Sequence, residues 1–255
     1  MANYDIIGNI AIIKFNKAIK STKKKEIAAK FLKEHKNVST ILEKTGKFSG
    51  RLRKQKTLYL AGDKTKEALY KENNCAFRFN VESCYFSPRL ASERKEIASE
   101  IKKGENVLIL FGGVAPYAIV AAKHKKADKI ISIEISKECN KYAKENIKRN
   151  NVNVELVQGD VNKVLPKIKE KFSRIIMPRP NLKESFLNPA FKRIKKGGIM
   201  HYYGFYPEKE KENLKTLISE EAKKAGKKVK IHLIKRAGDI GPYKFRYRAD
   251  IKVLN

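Results

Sequence analysis

Apolar residues along this chain fall into short runs separated by lysine-rich amphipathic segments, which predicts alternating strands and helices rather than a helical bundle. Tyr4–Phe15 reads as two short strands around Gly8, carrying Ile6, Ile7, Ile10, Ile12 and Ile13. Lys17–His35 has helical spacing, with Ile19, Ile27, Ala28, Phe31 and Leu32 on one side and lysines on the other. Strands are predicted at Val38–Leu42, Leu58–Leu60 and Ala76–Asn80, the last alternating Phe77 and Phe79 with Arg78. A helix over Ser92–Lys102 leads into a second series. In that series strands are predicted at Val107–Leu110, Lys129–Ile133, Val154–Val157, Arg174–Met177 and Ile199–Phe205. Helices are predicted over Lys163–Lys171, Ser185–Ile194 and Pro207–Ala225, with Gly197-Gly198 as a stop before the strand that follows. Lys228–Arg236 and Lys244–Val253 close the chain as a hairpin about a Gly-Asp-Ile-Gly-Pro turn.

Strand, tight turn, helix, strand and acid succeed one another between Val107 and Glu134. Val107–Leu110 enters the small-residue turn Phe111-Gly112-Gly113-Val114-Ala115, and the strand at Lys129–Ile133 stops at Glu134. Glycines let backbone approach a ligand closely, and a carboxylate ~20 residues on accepts hydrogen bonds from ribose hydroxyls. A dinucleotide site needs G-x-G-x-x-G, whereas Pro116-Tyr117 stands where the third glycine belongs. Proline lacks the N–H that a phosphate would use but suits the first turn of a helix. A nucleoside ligand without phosphates, such as S-adenosylmethionine, fits this loop better. The next strand end, Gln158-Gly159-Asp160-Val161, supplies an acid able to meet an adenine amino group.

Composition changes the picture in one respect. Among 255 residues, 58 Lys+Arg face 27 Asp+Glu, a net charge of +31. Charge of one sign on this scale repels itself unless a polyanion is bound, which makes nucleic acid the expected partner. Hot-growing or AT-biased sources also favour lysine, but ion-pair networks would need acids in step. Basic residues with an interleaved aromatic (Lys47, Phe48, Arg51, Arg53, Lys54) suit phosphate contacts. Cys75, Cys84 and Cys139 are odd in number and lack C-x-x-C spacing, so no disulfide framework or zinc site is expected, and His35, His124, His201 and His232 lack metal-ligand spacing. Each histidine reads as a surface or supporting residue. No apolar segment reaches the ~18 residues that span a bilayer, and no signal peptide precedes Phe15, so a cytoplasmic location is expected.

Longer motifs narrow the reading further. Tyr85-Phe86-Ser87-Pro88-Arg89-Leu90-Ala91-Ser92-Glu93-Arg94, the loop from Phe111 to Tyr117, Glu145-Asn146 and Gly198-Ile199-Met200-His201-Tyr202-Tyr203 resemble archaeal tRNA (guanine-37 N1)-methyltransferases. Tyr4–Ala11 and Leu60-Ala61-Gly62 are similar to the same family's middle domain, so the likeness covers nearly the whole chain. The resemblance implies an α/β fold: a class I (Rossmann-like) methyltransferase domain with a seven-stranded sheet over 86–255, preceded by a small basic α+β RNA-positioning domain over 1–85. It implies a monomer that binds S-adenosylmethionine and methylates N1 of guanine 37 in the anticodon stem-loop of tRNA. Guanine N1 carries a proton, so a general base must lie within hydrogen-bond reach. The motif implies Glu93 as that base, Arg94 and Ser87 at the methionine end of the cofactor, and Tyr85 as a stacking platform for a flipped base. Arg53 matches an arginine that orients the guanine or its phosphate. The implied cofactor contacts also include Phe111, Gly113, Glu134, Asp160 and Val161.

Two departures from the family pattern carry information. Pro178-Arg179-Pro180 stands where the common form has Asn-Leu-Pro, so Pro178 replaces an asparagine that helps hold the base. Val114-Ala115-Pro116-Tyr117 replaces Val-Gly-Pro-Phe. Both resemble the wyosine-pathway branch, which also methylates C7 of the tricyclic base 4-demethylwyosine. The rivals are an enzyme confined to N1 of guanine, a ribosomal-RNA methyltransferase, and an RNA-binding protein on a degenerate cofactor fold.

Overall fold

The protein is described here by a computed structural model that covers residues 3–46 and 48–255; Lys47, one of the basic loop residues, lies outside them. The chain divides into two compact units, residues 1–88 and 89–255. No helix among the described residues is long and apolar enough to cross a membrane.

In the first unit, β1 (Asn3–Ile7) and β2 (Ile10–Lys14) form a hairpin about Gly8. Helix α1 (Ser21–Glu34) then carries the chain to β3 (Thr40–Lys44), parallel to β2, and β4 (Thr57–Gly62) pairs antiparallel with β3. Ala28 and Phe31 of α1 pack on Ala11, Ile13, Ile41 and Leu60 of this sheet. The helix begins at Ser21 rather than Lys17 because the preceding residues turn, with Asn16 accepting from the Ala18 and Ile19 amides. A second hairpin joins β5 (Glu67–Glu72) to β6 (Cys75–Asn80). β5 is absent from the hydropathy pattern because it buries only Ala68 and Glu72. Gly8 is the point of closest approach: at φ +59, a Cβ there would sit 2.0 Å from the Leu69 carbonyl oxygen. Asn9 Oδ1 accepts from the Leu69 amide at 2.7 Å and ties the two hairpins together.

The second unit opens with α2 (Ala91–Glu100), β7 (Asn106–Leu110), α3 (Pro116–Lys123), β8 (Lys129–Glu134), α4 (Lys137–Arg149) and β9 (Glu155–Gln158). It continues through α5 (Val161–Val164), β10 (Phe172–Met177), α6 (Leu187–Phe191), β11 (Ile194–Pro207), α7 (Glu212–Lys224), β12 (Val229–Gly241) and β13 (Lys244–Val253). The strands form one sheet in the order β12-β13-β11-β10-β7-β8-β9. Its β11-β10-β7-β8-β9 part is parallel, and β13 runs antiparallel to both neighbours. This is the class I methyltransferase sheet. Central strands such as β7 are buried on both faces, which explains their continuous apolar sequence.

Three expectations are corrected. The helix expected over Lys163–Lys171 shrinks to α5 and one 3-10 turn (Leu165–Lys167), since Pro166 lacks the N–H that would continue it. Gly197-Gly198 does not stop the chain before a strand but lies inside β11. The pairing with β10 jumps there from Phe172↔Ile194 to Arg174↔Ile199, a bulge with Gly197 at φ +78. The last hairpin turns at Pro242-Tyr243, since β12 runs on through the glycines to Gly241.

Replacing Gly8 by alanine would press a methyl group against backbone in a left-handed conformation. Gly8→Ala should therefore lower the unfolding free energy by roughly 2 kcal/mol or more in a urea titration.

Candidate functional site

Glu134 links the ends of β7, β8 and β9. Glu134 Oε2 accepts from the Gly113 amide at 2.8 Å, in the loop after β7. Its Oε1 accepts from the Ser136 amide at 2.7 Å. Its backbone carbonyl accepts from the Gly159 amide, after β9, at 2.9 Å. The loop wraps tightly because Phe111, Gly113 and Ala115 all take positive φ. Gly112 lies so close to β8 that a Cβ would fall 2.1 Å from Ser132 Oγ. Pro116 begins α3 in the first turn, where its missing N–H costs nothing. From α4, Asn146 donates to the Val114 carbonyl at 3.4 Å.

Burial pushes the Glu134 carboxyl up from its usual range, against the downward pull of the Ser136, Gly113 and Ile135 amides. A diol donating to this carboxylate would offset the lost hydration, so the donor set fits a ribose. Asp160 caps α5, its Oδ1 accepting from the Asn162 amide at 3.0 Å, and Val161 is buried in the core. Phe111 meets Phe186 edge-on at 4.9 Å. The second unit thus brings Phe111, Gly113, Glu134, Asp160 and Val161 to one edge of the sheet.

Glu93 and Arg94 are both buried on α2. Glu93 Oε1 accepts from Arg248 Nη1 at 2.7 Å and from the Tyr203 hydroxyl at 3.0 Å. Lys235 Nζ stands 3.3 Å from Oε2. Tyr117, the residue after Pro116, donates to the Tyr203 hydroxyl at 3.1 Å, and burial pushes its own hydroxyl up to about 12. The Arg94 guanidinium lies 5.7 Å from the Tyr117 ring centroid. Arg248 Nη2 continues the network to Glu96 Oε1 at 2.7 Å and Asp250 Oδ2 at 2.9 Å.

His201 is fully buried in this network, not at the surface. Arg174 Nη1 lies 2.6 Å from His201 Nε2. An arginine can only donate, so Nε2 accepts and Nδ1–H donates to Asp250 Oδ1 at 2.6 Å. Glu100, His201 and Asp250 come near enough to suggest a metal cage. Arg174 and Arg248 already bring two positive charges to those atoms, so the donor set does not fit a cation.

In the first unit, the Arg53 guanidinium lies 4.1 Å from the Tyr85 ring centroid and 5.4 Å from that of Phe48. Phe48 meets Tyr85 edge-on at 5.0 Å, and Arg53 holds φ +51. Arg53 and Tyr85 are therefore brought together, with the arginine over one face of the ring. Ser87 is half-buried near the end of this unit. After β10, Pro178 is half-buried in a tight turn in which the Arg179 amide donates to the Met177 carbonyl at 2.7 Å. The Arg179 side chain turns inward and bonds the carbonyls of Leu182 and Glu184.

Sequence reasoning missed Tyr203, Lys235 and Arg248 as partners of Glu93. A signal existed in β13, where Arg246, Arg248 and Asp250 alternate with the apolar Phe245, Tyr247, Ala249 and Ile251.

Comparison with known proteins is consistent along the chain. The family model described as the TRM5/TYW2 methyltransferase domain matches residues 68–233, and the TYW2 N-terminal domain matches residues 1–65. The chain is 36% identical over 253 residues to tRNA (guanine(37)-N(1))-methyltransferase Trm5b of Pyrococcus abyssi, spanning 98% of this chain and 74% of that one. It is 36% identical over 304 residues to tRNA (guanine(37)-N(1))/4-demethylwyosine(37)-methyltransferase Taw22 of Nanoarchaeum equitans, spanning 99% and 100%. The crystal structure of wild-type Trm5b from Pyrococcus abyssi superposes with a TM-score of 0.88 at 36% identity, covering 99% of this chain and 75% of that chain. The fold is shared with P. horikoshii TYW2 in complex with MeSAdo, at TM-score 0.83 and 22% identity, covering 99% and 90%.

Because burial raises the Glu134 carboxyl, it protonates at higher pH than an ordinary glutamate and then loses acceptor capacity. Calorimetric titration with S-adenosylmethionine should show affinity falling as pH drops, beginning above the ordinary carboxylate value of about 4.3. Affinity that holds until below that value would contradict the role given to Glu134.

Proposed function

The chain belongs to the TRM5/TYW2 methyltransferase family, and we propose that it methylates the purine at position 37 of tRNA, at N1 of guanine. It is an S-adenosylmethionine-dependent tRNA methyltransferase. The observation that carries the N1 assignment is the carboxylate of Glu93, buried on α2 with one oxygen bound by two donors and the other beside a lysine.

When bound, S-adenosylmethionine supplies a methyl group made electrophilic by a positively charged sulfur. Glu134 and the loop from Phe111 to Ala115 would hold its ribose and position the methyl carbon, with Asp160 and Val161 beside the adenine. Glu93 takes the N1 proton as the N1 electron pair forms the bond to the methyl carbon, and the pair of the broken carbon–sulfur bond stays on sulfur. Tyr85 would stack on the base and Arg53 would orient it. Ser87 and Arg94 would meet the methionine end of the cofactor. Residues 1–85 act as the RNA-positioning part of a monomeric enzyme, and residues 86–255 carry the chemistry. The net charge of +31 supports binding to the phosphates of the anticodon stem-loop.

A second reading adds C7 of 4-demethylwyosine as an acceptor. It is favoured by Pro178-Arg179-Pro180, where Arg179 is bound to its own loop and two prolines flank it. A surface of this kind has little polar grip on guanine and admits a larger flat base. The name of the Nanoarchaeum equitans relative includes both activities.

Two measurements test these readings. Glu93→Gln should slow single-turnover N1 transfer by about 100-fold or more while S-adenosylmethionine binding persists, and an unchanged rate would remove Glu93 as the base. Transcripts carrying either G or 4-demethylwyosine at position 37, analysed as nucleosides after reaction, should both be methylated if the second reading holds. Product from G alone would leave an N1 enzyme, and product from neither would overturn the proposal.

A further inference from the structure

Glu93 lies on α2, yet the groups that hold it come from strands at the far end of the chain. Arg248 is fully buried on β13 and places Nη1 2.7 Å from Oε1, while the Tyr203 hydroxyl reaches the same oxygen from β11 at 3.0 Å. Both lone-pair directions of Oε1 are thereby engaged. Among the described residues Oε2 has one ion-pair partner, Lys235 Nζ at 3.3 Å, and Lys235 also bonds Glu96. We propose that Arg248 and Tyr203 are positioning residues for proton transfer, which fix Glu93 through Oε1 and leave Oε2 as the oxygen that takes the proton from N1. This inference rests on the reading of Glu93 as the base.

A carboxylate oxygen that accepts from a guanidinium and a phenol is the weaker base of the pair, so the proton goes to the other oxygen. The same contacts fix the side-chain rotamer, and proton transfer requires that orientation. Tyr203 remains a donor throughout the working range, because burial and its neighbours Tyr117 and Glu93 raise it well above the usual phenol value. The chain Tyr117 to Tyr203 to Glu93 also connects the base to the first turn of α3, directly after the cofactor loop. Other charged or titratable groups face this cluster from every side. Glu96, Glu100 and Arg94 stand on α2 itself, and Asp250 and Arg246 on β13. Lys235 reaches in from β12, with Arg174 and His201 behind Asp250. A carboxylate that loses a donor becomes the stronger base.

The test is the pH profile of single-turnover methyl transfer to a G37 transcript by the full chain, its Tyr203→Phe variant and its Arg248→Lys variant. Tyr203→Phe keeps the ring and deletes only the hydroxyl; Arg248→Lys keeps the charge and loses the fork. In both, the acid limb should move up by about half a pH unit or more, a roughly threefold lower rate on the limb, together with a lower high-pH plateau as the rotamer is released. Acid limbs at the wild-type position in both variants, whatever the change in plateau or melting temperature, would overturn the proposal. Glu93→Gln run in parallel separates the two failures. An undiminished rate in that variant removes the base reading itself, whereas a slow Glu93→Gln with unmoved limbs removes only the positioning roles. Titration with S-adenosylmethionine establishes that each variant is folded.

Discussion

Glu134, at the end of β8, accepts hydrogen bonds from the loop after β7, from the Ser136 amide and Asn140 side chain beyond β8, and from the turn after β9. Its carboxylate bridges the loop after β7 and the start of the segment that leads to α4, and its carbonyl holds Gly159 after β9. Burying a carboxylate is unfavourable unless donors replace the lost water, and backbone amides do so here at fixed positions. The left-handed residues of the loop are tolerable because this acid anchors them. These bonds within the protein hold the ends of β7, β8 and β9 at fixed positions.

The second constraint is the distribution of charge. Acids are scarce, and in the second unit Glu93, Glu96, Glu100, Glu105 and Asp250 are all engaged with Arg174, Arg248 or Lys235. Burial would push Asp250 up, but His201 and Arg248 outweigh it and hold this carboxyl below its usual range. Of these, Glu93 and Asp250 are buried and do not screen the lysines outside. The excess of basic side chains, a net charge of +31, gives the field that a polyanion meets first.

The Pro178-Arg179-Pro180 segment shows why a residue type does not by itself indicate a contact. An arginine after a strand in a nucleic-acid enzyme invites assignment to a phosphate. Here its guanidinium is buried, binds the Leu182 and Glu184 carbonyls, and lies 5.6 Å from the Tyr202 ring centroid. The loop is shaped by its own arginine, and the prolines flanking it restrict the conformations it can adopt.

Most strands, the small-residue loop after β7 and the acid that follows it were legible in the sequence, because they rest on local rules, whereas β5 and α4 were not. Apolar runs mark buried parallel strands, small residues mark tight turns, and spacing fixes which strand ends meet. One error was local and one was tertiary. Pro166 cut short a helix that spacing alone extends, and Gly197-Gly198 became a bulge because β10 was present to pair with it. The surroundings of Glu93 were beyond reach for a different reason. Arg248 is 155 residues away in the chain, and only the antiparallel return of β13 between β11 and β12 brings it to α2. Sequence determined that a carboxylate stands in that motif, whereas the closed sheet decided which of its oxygens is held, because hydrogen bonds depend on distances that the linear order does not contain.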